Sequence, residues 1–186
     1  MSRIPQISPE TATGKTKELL DAVKAKLGLV PNMVRAMANS TAALNAYLQF
    51  SGALAGGFLS NKSREQIALA VGQVNECDYC LSAHSALGKM AGLTKDQIID
   101  SRQGMSADGK TNALLQFSRK LVETRGMVSD VDVDAVRKAG FTDGEIAEIV
   151  AGVALNTYTN YFNNVASTDI DFPKADALPG ARPKAS

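Results

Sequence analysis

Apolar positions recur along most of the chain at three- and four-residue spacing, the period of an α-helix that buries one face. Leu19, Leu20, Val23 and Leu27 share one face of a helix predicted over 13–27, with lysines opposite and Gly28 to stop it. Pro31 opens a short helix over 31–38, and an Ala/Leu-rich helix follows over 41–54, closed by Gly56-Gly57. Ser60 or Ser63 caps the next helix, which carries Glu65, Ile67, Ala68, Ala70, Val71 and Val74. Asn75 breaks the pattern and is expected to cap a further helix, ended near residue 91 by Gly92. The boxes Thr94-x-x-Gln97 and Thr142-x-x-Glu145 mark two more helix starts. Amphipathic helices are predicted over 111–124 and 131–138, and a long one over 145–165. No stretch alternates apolar and polar residues with β-branched enrichment, so the fold class expected is all-α.

Composition narrows the picture. The 186 residues suit one domain, expected over 13–168, between an N-terminal arm (1–12) and a Pro-rich tail (169–186) that holds Pro173, Pro179 and Pro183. Twenty Lys and Arg against nineteen Asp and Glu leave a net charge of +1, so neither nucleic acid nor a membrane surface is an expected partner. The apolar runs are too short for a signal peptide or a membrane span, and the expected location is cytoplasmic. In such a reducing compartment a CxxC pair points to catalysis or metal binding before it points to a structural staple.

That pair carries the candidate chemistry. Both cysteines and the only histidine fall within Cys77-Asp78-Tyr79-Cys80-Leu81-Ser82-Ala83-His84. On a helix, Cys77, Cys80 and His84 occupy a sector roughly 60° wide. Were the helix continuous from residue 63, Glu65 would stand about 18 Å along the axis from Cys77. A break at Asn75 instead folds two helices into an antiparallel hairpin and brings Glu65 opposite His84. A carboxylate there would orient the imidazole, and His84 lies one turn from Cys80, which suggests a relay Glu65–His84–Cys80. Cys77, at the positive end of its helix, has its own claim to be the nucleophile. The spacing leaves the order of the two cysteines open.

Other readings of these residues are weaker. A closed zinc site wants four ligands, and Cys77, Cys80 and His84 would need Glu65 or a neighbour to complete the set; no metal is expected. Haem attachment requires a histidine directly after Cys80, where Leu81 stands. Tyr79 is a candidate lining residue, as packing or as a hydrogen-bond donor near the site. Asn156, Asn160 and Asn164 share a helix face, either as a polar seam between helices or as a lining of the site or of a subunit contact.

Glu65, eleven residues, then Cys77-x-x-Cys80-x-x-x-His84 resembles the signature of the alkylhydroperoxidase D-like family, within the carboxymuconolactone decarboxylase superfamily. The flanks Leu27-Gly28-Leu29-Val30-Pro31-Asn32 and Leu155-Asn156-Thr157-Tyr158-Thr159-Asn160-Tyr161-Phe162-Asn163-Asn164 are similar to its uncharacterised peroxidase-related branch, and the similarity spans roughly residues 10–172. The resemblance implies a helical bundle, a homo-oligomer, and a peroxidase without cofactor that reduces hydroperoxides in antioxidant defence. It assigns Cys80 as the attacking thiol, Cys77 as its resolving partner, and Glu65 and His84 as proton relay, with an external dithiol or lipoyl-type reductant. Where well-studied peroxidases of the family place a histidine before the second cysteine, this chain has Tyr79, a poor base near neutral pH. A decarboxylase-like activity and a redox-sensing or metal-binding module are the rival readings.

Overall fold

The computed structural model describes residues 2–178. Pro179 and Pro183 of the expected tail lie outside that range. Nine helices and no strand are found among the described residues: α1 (Gly14–Leu27), α2 (Asn32–Met37), α3 (Thr41–Ala55), α4 (Asn61–Val74), α5 (Asp78–Met90), α6 (Lys95–Gln103), α7 (Gly109–Glu123), α8 (Asp130–Lys138) and α9 (Asp143–Ala166). The expected all-α bundle is what the chain forms.

Helix α4 is the centre of the bundle. Its residues from Gln66 to Gly72 are all buried, because α5, α6, α7 and α9 pack around it. A helix wrapped on several sides reads as apolar nearly all round, as Ile67-Ala68-Leu69-Ala70-Val71 does. On one side Ile67 and Val71 meet Leu114, Phe117 and Leu121 of α7 and Ile149 and Val153 of α9. On another, Leu69 meets Leu93 and Ile98 of the α6 region. A second core joins α1, α2 and α5 through Leu20, Val23, Met33, Val34 and Met37, and it encloses both cysteines.

Local signals fix the ends of these helices. Ser60 Oγ accepts the Ser63 N–H and starts α4. Thr94 and Thr142 form the two expected capping boxes. Ser129 and Asp132 form a third, which places the start of α8 one residue before the expected Val131. The reading of Asn75 as the N-cap of the CxxC helix needs correction. Asn75 closes α4, Glu76 turns the chain at φ 51°, and Cys77 is the N-cap of α5, its sulfur accepting the Cys80 N–H at 3.3 Å. Three donors hold this turn against the end of α4: Asn75 N–H reaches Val71 O and Cys77 N–H reaches Gly72 O, each at 3.0 Å, and Glu76 N–H reaches Gln73 O at 3.3 Å. With those backbone groups satisfied, a short turn is enough to separate the helices of the hairpin.

The chain after α9 is extended, and to residue 178 it packs on the bundle. Asp171 accepts the Asn32 N–H at 2.7 Å, Ala175 N–H reaches Ser82 Oγ at 3.2 Å, and Arg102 Nη1 donates to Asp176 O at 2.6 Å. Ile170 and Phe172 cover the cysteine-containing core. The N-terminal arm closes on the same edge, with Ser2 bonded to Asp169 and Arg3 N–H to Ala166 O.

Candidate functional site

Packing of α4 against α5 decides the site. The two helices pack closely at Gly72, where even a Cβ would sit in ordinary contact, 3.5 Å from Leu81 Cδ2 and 3.8 Å from Cys80 Cβ. At Gly88, toward the other end of α5, the tight neighbour is Leu93, whose Cδ1 would lie 3.1 Å from a Cβ, with Glu65 Cβ in ordinary contact at 3.9 Å. This antiparallel register sets Glu65 Oε2 2.8 Å from His84 Nδ1, with both side chains largely buried. The carboxylate can only accept, so Nδ1 carries the proton and Nε2 of the neutral ring is left as the base.

Cys77 and Cys80 are joined as a disulfide across a Cα–Cα distance of 5.3 Å. Cys77 is fully buried and Cys80 is 3% exposed. Each sulfur is met by one N–H donor. Cys77 Sγ accepts from the Cys80 amide as described above. Cys80 Sγ accepts at 3.3 Å from Asn163 Nδ2 on α9. No group of three or more His, Cys, Asp or Glu is arranged to hold a metal ion among the described residues.

Asparagines of α9 clamp the hairpin turn. Asn75 Nδ2 donates to Asn160 Oδ1, and Asn164 Nδ2 donates to Asn75 O, each at 3.0 Å. Asn156, by contrast, spends its amide on Gly152 O of its own helix. Asn160 and Asn164 therefore form the seam between helices, while Asn163, one position off the expected face, reaches the sulfur. The signal that finds Asn163 is three-dimensional: α9 crosses the α4–α5 turn so that positions 160, 163 and 164 all face it.

Tyr79 points into the core. Its hydroxyl accepts the Met33 N–H at 3.2 Å at the start of α2, and its ring stands edge-on to Phe172 at 5.9 Å. Burial pushes its phenol far above the ordinary value, with the Met33 N–H partly opposing and the Asp171 carboxylate reinforcing the shift. It is no proton-transfer group near neutral pH. Tyr47 of α3 packs against the same core, and burial, with the Glu65 carboxylate second, pushes it up to about 12.

Residues 41–123 match the family model of the carboxymuconolactone decarboxylase family. The matched segment contains the whole of α4 and α5, hence Glu65, Cys77, Cys80 and His84. The likeness to that family therefore covers the segment that carries the candidate site. Solved structures with the same fold reach well beyond that segment. A protein of Ralstonia eutropha JMP134, described as an alkylhydroperoxidase AhpD core and an uncharacterized peroxidase-related protein, is 26% identical, with a TM-score of 0.82 over 91% of this chain and 92% of its own. An uncharacterized peroxidase-related protein of Silicibacter sp. TM1040 is 24% identical, with a TM-score of 0.78 over 89% and 88%. The debrominase Bmp8, as a cysteine-to-alanine variant in complex with 2,3,4-tribromopyrrole, shares the fold at 15% identity, with a TM-score of 0.78 over 90% and 91%. No curated protein matches the sequence. No helix among the described residues is long and apolar enough to cross a membrane.

Proposed function

We propose that this protein is a thiol-dependent peroxidase of the carboxymuconolactone decarboxylase superfamily that reduces hydroperoxides in antioxidant defence. One observation carries the reading: a CxxC disulfide whose helix also bears, one turn on from Cys80, a histidine paired through Nδ1 with a largely shielded glutamate. A merely structural disulfide needs no oriented base beside it.

In the reduced protein, His84 takes the Cys80 thiol proton, directly or through one water, and the Cys80 thiolate attacks one oxygen of the hydroperoxide. The S–O bond forms as the O–O bond breaks, and the leaving alkoxide takes the proton from His84 to depart as an alcohol. Cys80 is then a sulfenic acid. The Cys77 sulfur attacks Cys80 Sγ as the S–O bond breaks, the hydroxyl takes the proton given up by the Cys77 thiol and leaves as water, and the disulfide closes. An external dithiol, lipoyl-type or similar, supplies two electrons and two protons to reopen it and is itself oxidised to a disulfide. Since both sulfurs lie beneath the surface, a reductant reaches them only where the residues packed in that core give way. The enzyme acts without cofactor in the cytoplasm as a homo-oligomer.

Steady-state consumption of several hydroperoxides with a panel of dithiols, dihydrolipoamide included, tests the reading. Turnover that requires both Cys77 and Cys80 supports it. A decarboxylase-like reaction that survives loss of both cysteines would favour the other activity for which the superfamily is named. A thiol pair that oxidises stoichiometrically yet never turns over would favour a redox sensor.

A further inference from the structure

We propose that Asn163 stabilises the Cys80 thiolate and so lets Cys80 rather than Cys77 serve as the attacking thiol. The inference deepens the peroxidase reading and rests on it for the naming of Cys80. Asn163 is 3% exposed and lies on α9, 83 residues from the sulfur it meets.

The orientation of its amide follows from its partners. Nδ2 lies 3.0 Å from Thr159 O, and a backbone carbonyl can only accept, so this end of the amide is the donor. The second hydrogen on Nδ2 is then directed at Cys80 Sγ at 3.3 Å. Oδ1 is buried and has no hydrogen-bond partner among the described residues. A buried amide oxygen without a donor is costly, and such groups persist where the chemistry uses the rest of the side chain. When the Cys80 S–H gives its proton to His84, the sulfur keeps the electron pair, and the N–H···S contact becomes a charge-assisted bond that favours the thiolate.

Cys77 has the competing advantage of the N-cap position, with the Cys80 N–H on its sulfur. Around the pair, the ionisable groups are His84 and Asp78 on α5, Glu76 in the turn before it, Glu65 on α4, Tyr47 on α3, Tyr79 beside Cys80 and Asp171 of the strap, which acts on Tyr79; from α9 the groups that meet the turn and the sulfur are amides. Burial keeps both phenols uncharged at neutral pH, so they do not oppose the thiolate. The Asn163 N–H on Cys80 Sγ thus offsets the Cys80 N–H on Cys77 Sγ, each at 3.3 Å, and leaves the nearby His84 base to favour Cys80.

The test is alkylation of the reduced full-length chain by iodoacetamide between pH 5 and 10, with Cys77 and Cys80 peptides quantified separately by mass spectrometry. Asn163→Leu keeps the volume and removes the donor. It should raise the Cys80 ionisation midpoint by about one pH unit, cutting its alkylation below that midpoint about tenfold, with Cys77 changed less than about twofold. The near-isosteric Asn163→Asp should raise the midpoint further, because a carboxylate then faces the sulfur. It also carries the test if the leucine variant loses its helical circular dichroism. A Cys80 profile that superimposes on wild type, or equal shifts at both cysteines, would overturn the proposal. Alkylation needs no peroxide, so absence of peroxide turnover in the wild type would defeat the functional reading while leaving this measurement to stand or fall alone.

Discussion

Glu65 Oε2 and His84 Nδ1 are 2.8 Å apart although 19 residues separate them in sequence. The pairing depends on the hairpin and not on either helix alone, since α4 must return as α5 after a short turn for the positions to meet. Both side chains are largely shielded from solvent, which weakens the competition of water for the hydrogen bond.

If the pair works as one unit, its mutations should not add. Glu65→Gln, His84→Ala and the double variant are expected to lower peroxide turnover by similar factors, on the scale of about 10²–10⁴-fold typical of a general base. The measurement is kcat/KM for one hydroperoxide under saturating dithiol. A double variant slower by the product of the two single losses would show that the residues act independently.

The cysteines make a second prediction. Their Cα atoms stand 5.3 Å apart on one short segment, so oxidation should close an intramolecular bond. Mild peroxide treatment of the reduced protein is expected to consume both thiols without covalent dimers on non-reducing gels. Cys77→Ser should retain the first oxidation of Cys80 and stop at the sulfenic acid, detectable by dimedone labelling. Should Cys80→Ser retain a single fast turnover while Cys77→Ser loses it, the helix terminus outweighs Asn163 and His84, and the two roles exchange.

Much of this fold was legible because its signals are local. Thr94-x-x-Gln97 and Thr142-x-x-Glu145 each place both halves of a capping box within one helical turn, and both boxes form. Glu65 opposite His84 was legible for a related reason: one helix break fixes the mirror point of the hairpin. Cys77 as N-cap was not, because a sulfur is a weak acceptor and Asn75, two residues earlier, is the commoner cap. Asn163 was not legible either. Its neighbours Asn156, Asn160 and Asn164 define the polar face by spacing, while the tilt of α9 over the α4–α5 turn decides which amide meets Cys80. Tyr79 illustrates the same limit, since nothing within the CxxC segment announces that its hydroxyl meets Met33 on α2.

That last contact gives a stability prediction. Tyr79→Phe keeps the edge-on ring contact with Phe172 and leaves the Met33 N–H without its acceptor in a buried place. A cost of about 1–3 kcal/mol is expected, the desolvation penalty of one orphaned donor. Urea denaturation followed by helical circular dichroism reads it directly. A variant as stable as wild type would mean that another acceptor reaches Met33.

Assembly is open to measurement as well. Helix α3 runs 15 residues, rich in Ala and Leu, and buries only Leu44 fully. A helix this apolar gains most of its stability from packing, which a second copy of the chain would supply. Multi-angle light scattering at micromolar concentration is expected to give a multiple of 19.6 kDa. A monomer mass at that concentration would end the homo-oligomer reading.

The final prediction concerns acid stability and the start of α8. Asp132 closes the Ser129 capping box by accepting the Ser129 N–H at 2.8 Å, and it also pairs with Lys120 of α7. The Lys120 ammonium first, then the Ser129 donors, hold its carboxyl down at about 2, against an ordinary value of 3.8. The sign follows from proton linkage. As pH falls, the unfolded chain takes up a proton at this aspartate before the folded chain does, so acid favours unfolding. The stabilisation is therefore fully present above about pH 4 and is lost as pH falls through about 2. Asp132→Asn keeps an acceptor oxygen for the box and deletes the charge. The variant should be less stable than wild type at neutral pH by urea denaturation, and the gap should close progressively between about pH 4 and about pH 2. A gap that stays constant across that window would show that the Lys120 pair contributes nothing and that the cap alone holds the start of α8.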